Sequence, residues 1–156
     1  MKTIGHFING AHVVGKSGRS ADVFNPATGE ISAKIALADA DDLETAIQSA
    51  AAAQPGWAAT NPQRRARVFF RFVDLINTHM DELAELLSVE HGKTIEDSKG
   101  DIVRGMEVAE FVCGIPHLQK GEFTEGAGPG IDMYSMRQSL GIGAGITPFN
   151  FPAMIP

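Results

Sequence analysis

After Arg137 no charged residue occurs through Pro156, a run of nineteen residues reading QSLGIGAGITPFNFPAMIP. Its length would suit a membrane span, since about 20 apolar residues cross a bilayer as a helix. Gly141, Gly143, Gly145, Pro148, Pro152 and Pro156 argue against any helix there. The pattern predicts instead a buried strand over residues 140–146, followed by an irregular loop braced by prolines. A continuous apolar strand belongs to a parallel sheet covered on both faces. One such strand has no partner earlier in the sequence, so the 156 residues are expected to be the front part of a longer protein.

The rest of the sequence supplies short strands and then helices. FINGAHVV and ADVFNPATGEISAKIAL read as strands joined at Asn9-Gly10 and over residues 25–29, where Asn and Gly accept turn geometry. Asp39, Asp41 and Asp42 mark a helix start carrying Leu43, Ala46, Ile47, Ala50 and Ala51, with Pro55-Gly56 predicted to end it. Asn61-Pro62 opens a second helix whose apolar stripe is Val68, Phe69, Phe72, Leu75 and Ile76. A third starts at Asp81, carries Leu83, Leu86 and Leu87, and stops at His91-Gly92. A fourth runs from Thr94 towards Phe111 with Ile102, Met106, Ala109 and Cys113 on one face. The outward charges, among them Arg64, Arg65, Arg67, Asp81, Glu82 and Glu85, read as a solvated face. GEFTEGAGPG is predicted to be a loop, and IDMYSMRQ alternates as a strand. Strands, helices and a final apolar strand make the fold class α/β, with its main sheet only beginning as the sequence closes.

Composition excludes several functions. Nineteen acidic against thirteen basic residues give a net charge of −6, which attracts neither nucleic acid nor an anionic bilayer. A single cysteine forms no internal disulfide and fits a reducing compartment, so the expected location is cytoplasmic. His6, His12, His79, His91 and His117 lack metal-ligand spacing, and no metal is expected. Cys113 sits on an apolar helix face and reads as a small hydrophobe. Gly141-Ile142-Gly143-Ala144-Gly145 fails the dinucleotide fingerprint, because its third glycine would have to stand where the sequence has Ile146. What remains is Asn150, one amide in an apolar loop at the carboxyl end of the expected strand, the edge where open α/β sheets bind ligands. Its side chain either aims two N–H donors at a developing oxyanion or caps the local turn.

The segment RQSLGIGAGITPFNFP resembles the motif leading to the oxyanion asparagine of NAD(P)-dependent aldehyde dehydrogenases. FINGAHV, FNPATGE, GWAATNPQRRARV, ELAELLSVEHGK and GDIVRGMEVAEF extend the resemblance along nearly the whole sequence. ITPFNFPAMIP and HGKTIEDSKGDIVRGMEV are most similar to the CoA-acylating branch that oxidises malonate or methylmalonate semialdehyde. The resemblance implies an N-terminal part of an aldehyde-dehydrogenase-type fold, with helices and short strands leading into a Rossmann-like parallel sheet. Residues 1–120 would belong to the NAD-binding domain, 121–138 to an oligomerisation arm, and 139–156 to the first parallel strand and oxyanion loop. Asn150 would be the catalytic oxyanion donor, Thr147 and Phe149 would contact NAD, and Arg104 would hold the substrate carboxylate. From the residues alone, Arg104 reads as a surface partner of Glu107 or Glu110 on the same helix, and only the resemblance sets carboxylate binding beside that reading. Coenzyme A would be a co-substrate, and the assembly a dimer or tetramer.

Ser139 departs from the proline that many relatives have before Leu-Gly, with little effect expected. The family's nucleophilic cysteine and cofactor-binding lysine match nothing in these residues, so the 156 residues by themselves should be inactive. Three functions stay open at this point: a CoA-acylating dehydrogenase, a hydrolytic aldehyde dehydrogenase, and a non-catalytic assembly fragment.

Overall fold

The computed structural model describes residues 2–156. Five short strands come first: β1 (Lys2–Ile4), β2 (His6–Ile8), β3 (Ala11–Val13), β4 (Ser20–Phe24) and β5 (Ile31–Ala36). β2 and β3 form a hairpin with His6 opposite Val13, closed by Asn9 at φ 53° and Gly10 at φ 74°. That is the two-residue turn which an Asn-Gly pair favours. β5 lies at the centre of a three-stranded sheet, parallel to β1 and antiparallel to β4. Between β4 and β5, the Asn25 side chain accepts the Ala27 N–H at 2.8 Å and its carbonyl accepts that of Gly29 at 2.8 Å.

The helical middle follows the capping signals closely. α1 (Ala40–Ala59) starts at a reciprocal cap, in which Asp39 accepts the Asp42 N–H at 2.9 Å and Asp42 accepts that of Asp39 at 3.3 Å. It continues through Pro55 and Gly56, where the sequence predicts a stop. A proline removes one intrahelical bond and crowds the carbonyl four residues earlier. Both residues are exposed, and the helix carries on through them to Ala59. α2 (Pro62–Thr78) is capped by Asn61, whose side chain accepts the Gln63 N–H at 2.8 Å. α3 (Met80–His91) begins just before Asp81 and ends at Gly92, which adopts the left-handed conformation. Thr94 caps α4 (Ile95–Val112) by accepting the Asp97 N–H at 3.2 Å. A single short turn of helix, α5 (Ile115–Leu118), follows without any clear signal in the sequence.

The core lies where α3 meets α4: Ala84, Leu87 and Ile102 are buried, with Ile76, Met80, Leu83 and Ala153 packed against them. α4 presents Ile102, Met106 and Ala109 inward, as its spacing predicts, and Cys113 at its C-cap is half-buried. The apolar stripe of α2 is used only in part. Phe69 and Ile76 are half-buried, whereas Val68, Phe72 and Leu75 are exposed. Arg65 is not merely solvated, because it donates to the Gln119 side chain at 2.5 Å.

Two readings near the carboxyl end are corrected. The segment predicted as a loop contains a strand, β6 (Phe123–Gly128), paired antiparallel with β7 (Ile131–Tyr134). A register shift between Thr124 and Gly128 absorbs the glycines that lower its strand propensity. β7 stops at Tyr134, short of the alternating pattern's end. Residues 140–146 form no strand and are not buried: Leu140 and Ile146 are fully exposed. A strand exists only against another backbone edge, and no strand of the described residues lies beside this one.

Candidate active site

The turn that directly follows Asn150 is seated on α4. Its backbone closes through the Ile155 N–H, which donates to the Phe151 carbonyl at 3.3 Å. Asp101, fully buried on α4, accepts the Met154 N–H on Oδ1 at 3.0 Å. Its other oxygen faces the Lys93 ammonium at 3.4 Å. Lys93 is itself nearly buried, with its charge 5.6 Å from the centre of the Phe151 ring, within the range of a cation–π attraction. The backbones of helix and turn also meet closely at Gly105, where a Cβ would stand 3.1 Å from the Met154 Cα. A buried carboxylate is tolerated only when paired and hydrogen-bonded, and Asp101 has both.

Asn150 itself is exposed, and no side-chain hydrogen bond joins it to another described residue. Its amide therefore does not cap the turn, and both its N–H donors are free. Thr147 and Phe149 lie on the same exposed strip, the Phe149 ring being 87% accessible. Residues 140–149 make no backbone hydrogen bond to another described residue. Arg104 is exposed on α4 beside Gly105. The ion pairs of the described residues are Lys34–Asp22, His79–Glu82, Lys93–Asp97, Lys93–Asp101 and Lys99–Asp81, so Arg104 pairs with neither Glu107 nor Glu110. The fold thus joins the helix of Arg104 to the turn that directly follows Asn150, while no hydrogen bond links those two side chains.

Beside the turn lies a groove of about 550 Å³ between α2, α4 and the last residues, lined by Phe72, Ile76, Met106, Val108 and Ile155 among others. Ser139 also has a role that proline would not have, since its hydroxyl accepts from the Gln54 side chain at 2.7 Å. Among the described residues no cluster of His, Cys, Asp or Glu could hold a metal ion, and no helix is long and apolar enough to cross a membrane.

Asp101, Lys93 and Gly105 were not singled out from the sequence. The available signal was Asp101's own position: Ser98, Asp101, Ile102, Gly105 and Ala109 recur at helical spacing, which puts a charge inside a buried stripe.

The sequence profile described as "Aldehyde dehydrogenase family" matches residues 12–156. The chain belongs to the aldehyde dehydrogenase family. Its fold is the α/β aldehyde dehydrogenase fold, of which it forms an N-terminal portion. It is 49% identical over its whole length to a malonate-semialdehyde dehydrogenase of Pseudomonas aeruginosa, covering 31% of that protein. It is 45% identical over 151 residues to an acylating, mitochondrial methylmalonate-semialdehyde dehydrogenase of Arabidopsis thaliana, covering 97% of this chain and 25% of that one. A crystal structure from Sinorhizobium meliloti 1021, described as a methylmalonate-semialdehyde dehydrogenase complexed with NAD, superposes with a TM-score of 0.96 at 71% identity. That match covers all of this aldehyde dehydrogenase chain and 32% of the solved one. The chain therefore spans about a third or less of the length of these relatives.

Proposed function

We propose that this chain is the front part of an NAD-dependent, CoA-acylating dehydrogenase of malonate or methylmalonate semialdehyde. The observation that carries the reading is the free Asn150 amide, directly followed by a turn that a buried carboxylate holds against the helix of Arg104. The identity to semialdehyde dehydrogenases along the whole chain supports the substrate class.

In this reading Asn150 donates to the oxyanion that forms when a cysteine thiolate, supplied by another part of the full protein, adds to the aldehyde carbon. The donor is free in advance, so it need not break a protein bond at the moment of reaction. Arg104 presents a planar, permanently charged fork, suited to the carboxylate of a semialdehyde. The exposed Phe149 and the peptide groups of residues 147–149, just past the strand segment, fit one side of a dinucleotide, and Thr147 belongs to the same surface. NAD, when bound, supplies the hydride acceptor. For malonate semialdehyde the balance is aldehyde, CoA thiol and NAD⁺ giving acetyl-CoA, carbon dioxide and NADH; the methylated substrate gives propionyl-CoA.

We assign residues 1–120 to the NAD-binding domain, 121–138 to an oligomerisation arm of a dimer or tetramer, and 139–156 to the first parallel strand and oxyanion loop of the NAD-binding domain, the strand forming once a neighbouring strand is present. The single cysteine supports a cytoplasmic location.

The test is NADH formation by the full-length enzyme from malonate semialdehyde, with and without CoA. Turnover that requires CoA is expected, whereas equal turnover in water alone would make the enzyme hydrolytic. Asn150→Ala should lower kcat about 10²–10³-fold, as loss of one oxyanion donor does.

A further inference from the structure

We propose that Asp101 is a positioning residue for the reaction, acting through the turn that directly follows Asn150. This rests on the reading of Asn150 as the oxyanion donor. Asn150 has no side-chain bond of its own, so its direction depends on the backbone that follows it. That backbone is held at a residue 53 positions from its anchor in sequence, where Asp101 Oδ1 takes the Met154 N–H at 3.0 Å. The anchor is stiff for three reasons. Asp101 is fully buried, its second oxygen faces Lys93, and Lys93 in turn lies against the ring of Phe151, the residue next to Asn150. The carboxylate and the ammonium therefore grip the turn at both Phe151 and Met154. A buried carboxylate is an expensive way to hold one amide unless the position of that amide matters. Misplacing a catalytic donor by about 1 Å can cost on the order of 10²-fold in rate.

The full-length enzyme tests this with Asp101→Leu, which removes both contacts, and Asp101→Asn, which keeps an acceptor for the Met154 N–H. With NAD and aldehyde saturating, kcat should fall about thirtyfold in the first and about threefold in the second, while NAD affinity by fluorescence stays unchanged. Each substitution is then repeated in an Asn150→Ala background. There Asp101→Leu should cost less than about twofold, because no donor is left to misplace. An equal fall in both backgrounds overturns the proposal, since a merely structural role lowers activity whether or not Asn150 is present. Should Asp101→Leu fail to fold, Asp101→Asn carries the same comparison, supported if its loss vanishes without Asn150 and refuted if it persists. Wild-type turnover in Asn150→Ala alone would instead remove the oxyanion reading itself, and with it this inference.

Discussion

Asp42 receives the backbone N–H of Lys16 on both carboxylate oxygens, at 3.2 and 3.1 Å, although the two residues are 26 positions apart. The contact ties the loop after the β2–β3 hairpin to the first turn of α1. The Lys16 amide lowers the Asp42 pKa below its ordinary 3.8; burial opposes it, and the Asp39 amide and His6 add to the lowering. A carboxyl with a depressed folded pKa contributes stability in full above its unfolded value, and loses it as pH falls through the folded value. Urea midpoints measured downward from about pH 6 should thus decline from near pH 4, and Asp42→Asn should flatten that decline. Faster hydrogen exchange at the Lys16 amide in Asp42→Ala would locate the effect. An unchanged acid slope in Asp42→Asn would show that other carboxylates govern it.

Lys99 on α4 reaches Asp81 on α3 at 2.7 Å. The hydrogen bond that the Lys99 ammonium donates to the Asp81 carboxylate, and then the carboxylate's charge, raise the Lys99 pKa above 10.5. The sign is opposite to that of Asp42: the contribution is complete below pH 10.5 and disappears as pH rises through the folded value. Asp81→Asn should bring the Lys99 titration down towards its ordinary range, as read by NMR at Nζ. Asp81 is well exposed and Lys99 partly so, so added salt should shrink the difference.

Gly92 ends α3 at φ 84°, with a would-be Cβ only 3.1 Å from the Pro26 ring. Gly92→Ala should destabilise the protein by about 1–2 kcal/mol through the left-handed backbone alone. Chemical denaturation measures it directly, and a neutral result would mean that the helix end rearranges at no cost.

Arg104→Met in the full-length enzyme should lower kcat/KM for malonate semialdehyde by about 10–100-fold, the loss of one or two charge-assisted hydrogen bonds. Propanal, which has no carboxylate, should be oxidised at a nearly unchanged rate. Equal losses on both substrates would assign Arg104 to structure and not to recognition.

The helical part was legible in the sequence because its signals are local. Asn61-Pro62, Thr94 and the Asp39–Asp42 pair each satisfy amide groups within three residues, so their caps follow from spacing alone. Asn9-Gly10 is local in the same way. Pro55 was misread because proline raises the cost of a helix without forbidding it, and α1 continues to Ala59. β6 was missed for a related reason: its glycine-rich segment is a strand only because β7 lies beside it.

By itself the sequence determined where helices start, which face of α4 is apolar, and that Asn150 is the one amide in an uncharged loop. It also carried the family resemblance through motifs that are contiguous in the chain. Tertiary structure decided the rest. Only the fold brought Asp101 to Met154, 53 residues away, and set Lys93 against Phe151. Only the pairing with β7 made a strand of the glycine-rich residues 123–128. The physical reason is common to both: a cap or a turn is satisfied by its neighbours in sequence, whereas a buried ion pair or a sheet edge is satisfied by whatever backbone the fold delivers to it.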